Sequence, residues 1–141
     1  MNPSLLPRRL TLQAIAGLLG AAALPLLAAP TGAPVRVALI ESLSGPIANT
    51  GEAVYRNLVL ATERVNARGG LRTGQSARQL AIELYDSKGQ IEEALAALRS
   101  AIDAGIRIVA QGNSSAVAGA LVEAIARHND RNPAQQVLFL N

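Results

Sequence analysis

The chain contains no cysteine and no tryptophan, one histidine, and three aromatic residues in 141. Without cysteine there is no disulfide, thiolate metal site, cysteine nucleophile or lipidated N-terminal cysteine. A lone His128 and acids scattered along the chain offer no cluster with metal-ligand spacing, so neither a metal nor any other cofactor is expected. Tyr55, Tyr85 and Phe139 are too few to build base-stacking platforms. Charge is sparse as well: the formal net charge is +3, and leaving out Arg8 and Arg9 reduces the 13 basic residues to 11 against 10 acidic ones. Nucleic acid is therefore not an expected partner. Apolar residues make up 50% of the chain, enough for the packed core of one modest domain.

The first thirty-odd residues read differently from the rest. "PRRLTLQ" is a basic stretch, and "AIAGLLGAAALPLLAA" is an apolar run ending in small residues. This is the pattern of a secretory signal peptide, assigned to residues 1–33, and it predicts export to the periplasm. A membrane anchor fits less well, because Gly17, Gly20 and Pro25 interrupt a run that is already shorter than the ~20 residues a spanning helix needs.

From Pro34 onward, short apolar strands alternate with amphipathic helices. Strands are predicted over 35–40 ("VRVALI"), 79–86 ("QLAIELYD"), 106–110 ("IRIVA") and 137–140 ("VLFL"). Between them run three helices. Their expected inward faces are Val54, Leu58, Ala61 and Val65; Ile91, Leu95, Leu98 and Ile102; and Val117, Leu121 and Ile125. The order is βαβαβαβ, which predicts an α/β domain: an open parallel sheet of four strands with helices on both faces. Ligands of such sheets sit at the carboxyl ends of the strands. "ESLSGPIANTG" and "QGNSSA" both leave strand ends and are expected to share one rim.

That rim excludes several chemistries. It has neither G-x-x-x-x-G-K-[ST] nor G-x-G-x-x-G, the patterns that cradle phosphates. "GNSSA" nearly matches the G-x-S-x-G nucleophile elbow, with Ser114 as the candidate nucleophile of an exported hydrolase. His128, however, stands about 20 Å along a helix from Ser114, beyond the reach of a general base. It is read instead as a solvated residue near a helix C-terminus. Glu41 and Asp86 both end strands and are expected to cap or solvate the rim. What remains are neutral groups: Ser42, Ser44, Asn49, Thr50, Asn113, Ser114 and Ser115. With the amides of a helix N-terminus they suit a zwitterion or small carboxylate. Ser114 or Ser115 is also the expected N-cap of the third helix.

Four segments, "VALIESLSGPIANTGEAV", "ERVNARGGL", "LAIELYDSKGQIEEAL" and "GIRIVAQGNSSAVAGAL", occur in this order. Together they resemble the Leu/Ile/Val-binding family of periplasmic solute-binding proteins, over nearly all of residues 35–141. The resemblance implies a type I binding fold, whose two α/β lobes close over an amino acid or similar solute. It also implies delivery to an inner-membrane ABC permease, and no catalysis. The role of holding the solute's α-carboxylate falls on Ser115, with Ser114 and Asn113 beside it. Ser44 belongs to the S-G-P loop facing the cleft, and Thr50 takes the place that lines the solute's apolar part. A threonine there, in place of a bulky aromatic, argues against strict leucine specificity. Family members are several hundred residues long, so 34–141 is expected to hold part of the N-terminal lobe, with "VLFL" lacking its next neighbour. Two other readings are an extracytoplasmic sensor domain of a receptor and a chain that binds nothing by itself.

Overall fold

The computed structural model describes residues 32–74 and 76–141; residues 1–31, which carry nearly all of the expected signal peptide, lie outside the described residues. The elements follow in the order β1 (Val35–Glu41), α1 (Ala48–Ala67), β2 (Leu71–Thr73), β3 (Ser76–Arg78), β4 (Leu80–Asp86), α2 (Ile91–Asp103), β5 (Ile108–Ala110), α3 (Ser115–Arg131) and β6 (Leu138–Leu140). A single 3-10 turn at Pro133–Gln135 leads into β6.

Four strands form one parallel sheet in the order β4-β1-β5-β6. β1 lies inside it, and its alternating side chains build two cores. Val37 and Leu39 meet Val54, Tyr55 and Leu58 of α1. Ala38 and Ile40 meet Ala94, Leu98 and Ala101 of α2 and Val117 and Leu121 of α3. Helices therefore cover both faces, as expected, with α1 alone on one and α2 and α3 on the other. Burial of a side chain such as Leu39 or Ile40 contributes about 1.5–3 kcal/mol.

The four parallel strands and three helices keep the βαβαβαβ order, with one addition. β2 and β3 pair antiparallel as a separate hairpin between α1 and β4. Its strands have three residues each and no alternating apolar pattern, so periodicity carries no sign of them. Gly70, at φ 79°, enters this hairpin where a Cβ would lie 2.3 Å from the Arg78 carbonyl oxygen. Only glycine fits so close an approach in that conformation.

Two helix faces are also rotated from expectation. In α1, Thr62 is buried and Ala61 exposed. The Asn66 amide fixes this rotation by bonding both the N–H and the C=O of Leu80, each at 2.9 Å. In α2 the alanines Ala94, Ala97 and Ala101 join Leu98 in the interior, whereas Ile91 is 44% exposed. Small side chains let the helix approach the sheet closely. α3 buries Val117, Leu121 and Ile125 as expected.

The crossovers place a topological switch point. α1 carries the chain from β1 to β4 over one face, and α2 carries it back past β1 to β5 over the other. β1 and β5 pair only at Ala38 with Val109 and Leu39 with Ala110. Beyond those pairs the ladder between the two strands ends, and the carboxyl edge at this switch point is where ligands of open α/β sheets bind.

Candidate functional site

Three strand exits form the rim. β1 leaves through Ser42–Ile47, β4 through Ser87–Gln90, and β5 through Gln111–Ser114. Two carboxylates tie them together. Asp86 ends β4, and its Oδ1 accepts the N–H groups of Leu43 at 2.9 Å, Ser44 at 3.3 Å and Lys88 at 2.8 Å. Burial pushes its pKa up, but the Ser44 hydroxyl and these amides outweigh it and hold Asp86 below the usual carboxylate range. Asp86 thus caps the rim as expected.

Glu41 departs from expectation. It ends β1 in register with Asp86 yet is 0% exposed, and its Oε1 accepts the N–H of Gly112 on the opposite neighbour. It does not solvate the rim; it lies beneath it. Burial is the main influence and raises its pKa, while bonds from the amides of Gly112, Ser42 and Asn113 partly offset that rise. Among the described residues its Oε2, the Ser42 hydroxyl and the Asn113 Nδ2 are buried without a hydrogen-bond partner.

The β5–α3 corner is organised by two side chains. Ser114 is the N-cap of α3, with an extended backbone and its hydroxyl accepting from the Val117 N–H at 3.3 Å. Gln111 is 3% exposed. Its amide oxygen accepts the N–H groups of Asn113 at 3.1 Å and Ser114 at 2.8 Å in the orientation favoured by the surrounding donors. The first helical amides have no intrahelical acceptor. Because the Val117 N–H is already taken by Ser114, the N–H groups of Ser115 and Ala116 stay open among the described residues. Ser115, exposed, adds its hydroxyl beside them.

All five candidate residues, Ser44, Thr50, Asn113, Ser114 and Ser115, stand at this carboxyl edge. Ser44 is held through Asp86. Thr50 lies exposed in the first turn of α1, its N–H bonded to the Ile47 carbonyl at 3.0 Å. They do not share a closed pocket. A groove of about 210 Å³ opens beside the rim, lined by Leu39, Val54, Leu58, Ala110, Leu140 and Asn141 together with Gln111 and Gly112; none of the five lines it. Sequence reasoning missed Gln111 and the burial of Glu41. The available signal was that both flank apolar strand residues, Ile40 and Ala110.

Ser114 and His128 occupy opposite ends of α3, and the imidazole Nε2 lies 3.1 Å from the Gln135 carbonyl. Ser114 therefore has no histidine base. Among the described residues no three His, Asp or Glu side chains stand where they could hold a metal ion, and no helix is long and apolar enough to cross a membrane.

A family model for periplasmic binding proteins matches residues 34–131. Leu/Ile/Val-binding protein homolog 4 of Brucella abortus is 39% identical over 109 residues, which make up 77% of this chain and 25% of that protein. Leu/Ile/Val-binding protein BraC3 of Rhizobium johnstonii is 28% identical over 96 residues, 68% of this chain and 25% of that protein. Among solved structures, the leucine-, isoleucine-, valine-, threonine- and alanine-binding protein of Brucella ovis, in a closed conformation, superposes with a TM-score of 0.67 at 39% identity. That match covers 77% of this chain and 27% of the other. The chain thus spans about a quarter of the length of the curated relatives it matches.

Proposed function

The chain belongs to the periplasmic binding protein family, and from that premise we propose that it forms part of a ligand-binding lobe that captures a small neutral amino acid for an importer. One observation carries this reading. At the switch point of the sheet, the Ser115 and Ala116 amides and the Ser115 hydroxyl stay open while the neighbouring amides are satisfied internally. A helix N-terminus carries roughly half a positive charge, so these donors can hold a carboxylate without a buried cation. The Brucella ovis relative is described as binding leucine, isoleucine, valine, threonine and alanine, which share the α-carboxylate and differ in side chain. Thr50 gives a leucine side chain little surface, so threonine and alanine are expected to be held comparably well.

The proposed domain plan is a signal over residues 1–33 and part of the N-terminal lobe over 34–141. The proposed setting is the periplasm, with an inner-membrane ABC permease as partner. Capture involves no chemistry on the solute, since Ser114 serves as a helix cap and lacks a base.

The test is a chimera in which residues 35–141 replace the corresponding segment of the Brucella ovis protein. Calorimetry should show binding of L-leucine, L-threonine and L-alanine, weakened by about 1–3 kcal/mol in Ser115→Ala. An unchanged affinity removes Ser115 from the site. Ester hydrolysis by the chain that disappears in Ser114→Ala would overturn the reading.

A further inference from the structure

We propose that Glu41 is a positioning residue for the solute site: its buried carboxyl ties β1 to the β5–α3 corner, fixes Gly112, and so keeps the Ser115 and Ala116 amides turned toward a carboxylate. This rests on reading that rim as the solute site.

The geometry is specific. β1 and β5 stop pairing at Leu39 and Ala110. Beyond that point β6 still holds Gln111, whose N–H bonds the Leu140 carbonyl at 3.0 Å and whose C=O accepts from Asn141 Nδ2 at 2.8 Å, but no ladder hydrogen bond ties the corner to β1. Glu41 supplies the tie to β1 by accepting the Gly112 N–H. Gly112 suits the side chain above it, since a Cβ there would stand 3.0 Å from Val54 Cγ1 and 3.4 Å from Glu41 Oε1. A buried carboxyl with one unpartnered oxygen is costly in a position that packing alone would fill with an apolar side chain. Its use lies in what it holds. Three residues after Gly112, α3 begins with Ser115.

No charged side chain contributes to the displacement of Glu41's pKa, which comes from burial. Asp86 on β4 is its register neighbour and is occupied by amides of the other two loops. On α1, Tyr55 packs into the same core, and Glu52 and Arg56 pair with each other at 2.9 Å. Lys88, at the β4 exit, pairs with Glu93. The β5–α3 corner has no titratable group between Gln111 and Ala116. A solute carboxylate at α3 would therefore bring a second negative charge toward an unneutralised one. Binding and protonation of Glu41 then favour each other, and affinity falls as pH rises and Glu41 ionises.

The test uses amide-resolved NMR of the 141-residue chain, with L-leucine as probe. In wild type, the Gly112, Asn113 and Ser115 amides should shift together with pH, with one midpoint above the ordinary carboxylate range. In Glu41→Gln, which keeps an acceptor oxygen for Gly112, that titration should vanish and L-leucine affinity should match or exceed wild type at all pH values. Glu41→Leu, which removes the tie, should weaken L-leucine about tenfold. Ser115 amide shifts that ignore Glu41, or wild-type affinity and pH dependence in both variants, would overturn the proposal. Failure of wild type to bind L-leucine would instead sink the solute reading, and the amide titration would still decide whether Glu41 holds the corner.

Discussion

Single residues at the rim hold its structure, and Ser115 is the one proposed for recognition. Ser114 spends its hydroxyl on Val117, so Ser114→Ala should destabilise the chain by about 1 kcal/mol in urea unfolding while leaving Ser115 open. The two carboxylates predict opposite pH trends. Asp86 has a lowered pKa when folded, so its contribution is present above the ordinary aspartate range and is lost as pH falls toward its folded value. Asp86→Asn should cost about 1–3 kcal/mol at neutral pH, and the gap to wild type should close in acid. Glu41 has a raised pKa, so its contribution is full below the ordinary glutamate range and falls as pH rises through its folded value. Glu41→Gln should flatten that decline in a series of urea midpoints. Serines flanking a helix start announce a cap in the sequence. A lone glutamate closing an apolar strand does not announce its burial, because that depends on which strand becomes its neighbour and where the ladder between them ends.

At the scale of elements, the close approach of α1 to β1 rests on Gly51. A Cβ there would fall 2.1 Å from the Ser42 carbonyl oxygen, a backbone atom that cannot turn aside. Gly51→Ala should lower stability by about 1–3 kcal/mol or more and shift the S-G-P loop, readable as a reduced urea midpoint with altered amide shifts at Ser42–Ser44. The strands and α3 were legible because their apolar periods are clean and their faces are set by a single neighbour. The β2–β3 hairpin was not, having only three paired residues a side. The face of α1 was legible to within one position: from Leu58, both Ala61 and Thr62 continue a 3.6-residue period, and the choice is made by Asn66 gripping Leu80 from another element. Ile91 was misplaced for a similar reason, since periodicity ranks isoleucine above alanine whereas close helix-sheet packing prefers the smaller side chain.

Across the whole molecule, the parallel four-stranded sheet with helices on both faces matches part of a type I periplasmic-binding lobe, as the order of strands and helices led one to expect. Its two faces are unequally covered. α2 and α3 shelter Val109 and Phe139, whereas on the α1 side Leu138 is 57% and Leu140 46% exposed on β6 at the sheet edge. An apolar edge strand invites pairing with another chain. The chain should therefore self-associate as its concentration rises in analytical ultracentrifugation, and Leu138→Lys combined with Leu140→Lys should reduce this while leaving the rim intact.

The proposed role of the start of α3 is to hold the carboxylate of a neutral amino acid. It is tested most directly by following the chain's amide NMR signals during parallel titrations with L-leucine and with leucinol, which lacks the carboxylate. The Ser115 and Ala116 amides should shift with L-leucine and stay fixed with leucinol. Equal shifts with both compounds, or shifts confined to the apolar groove around Leu58 and Leu140, would contradict it.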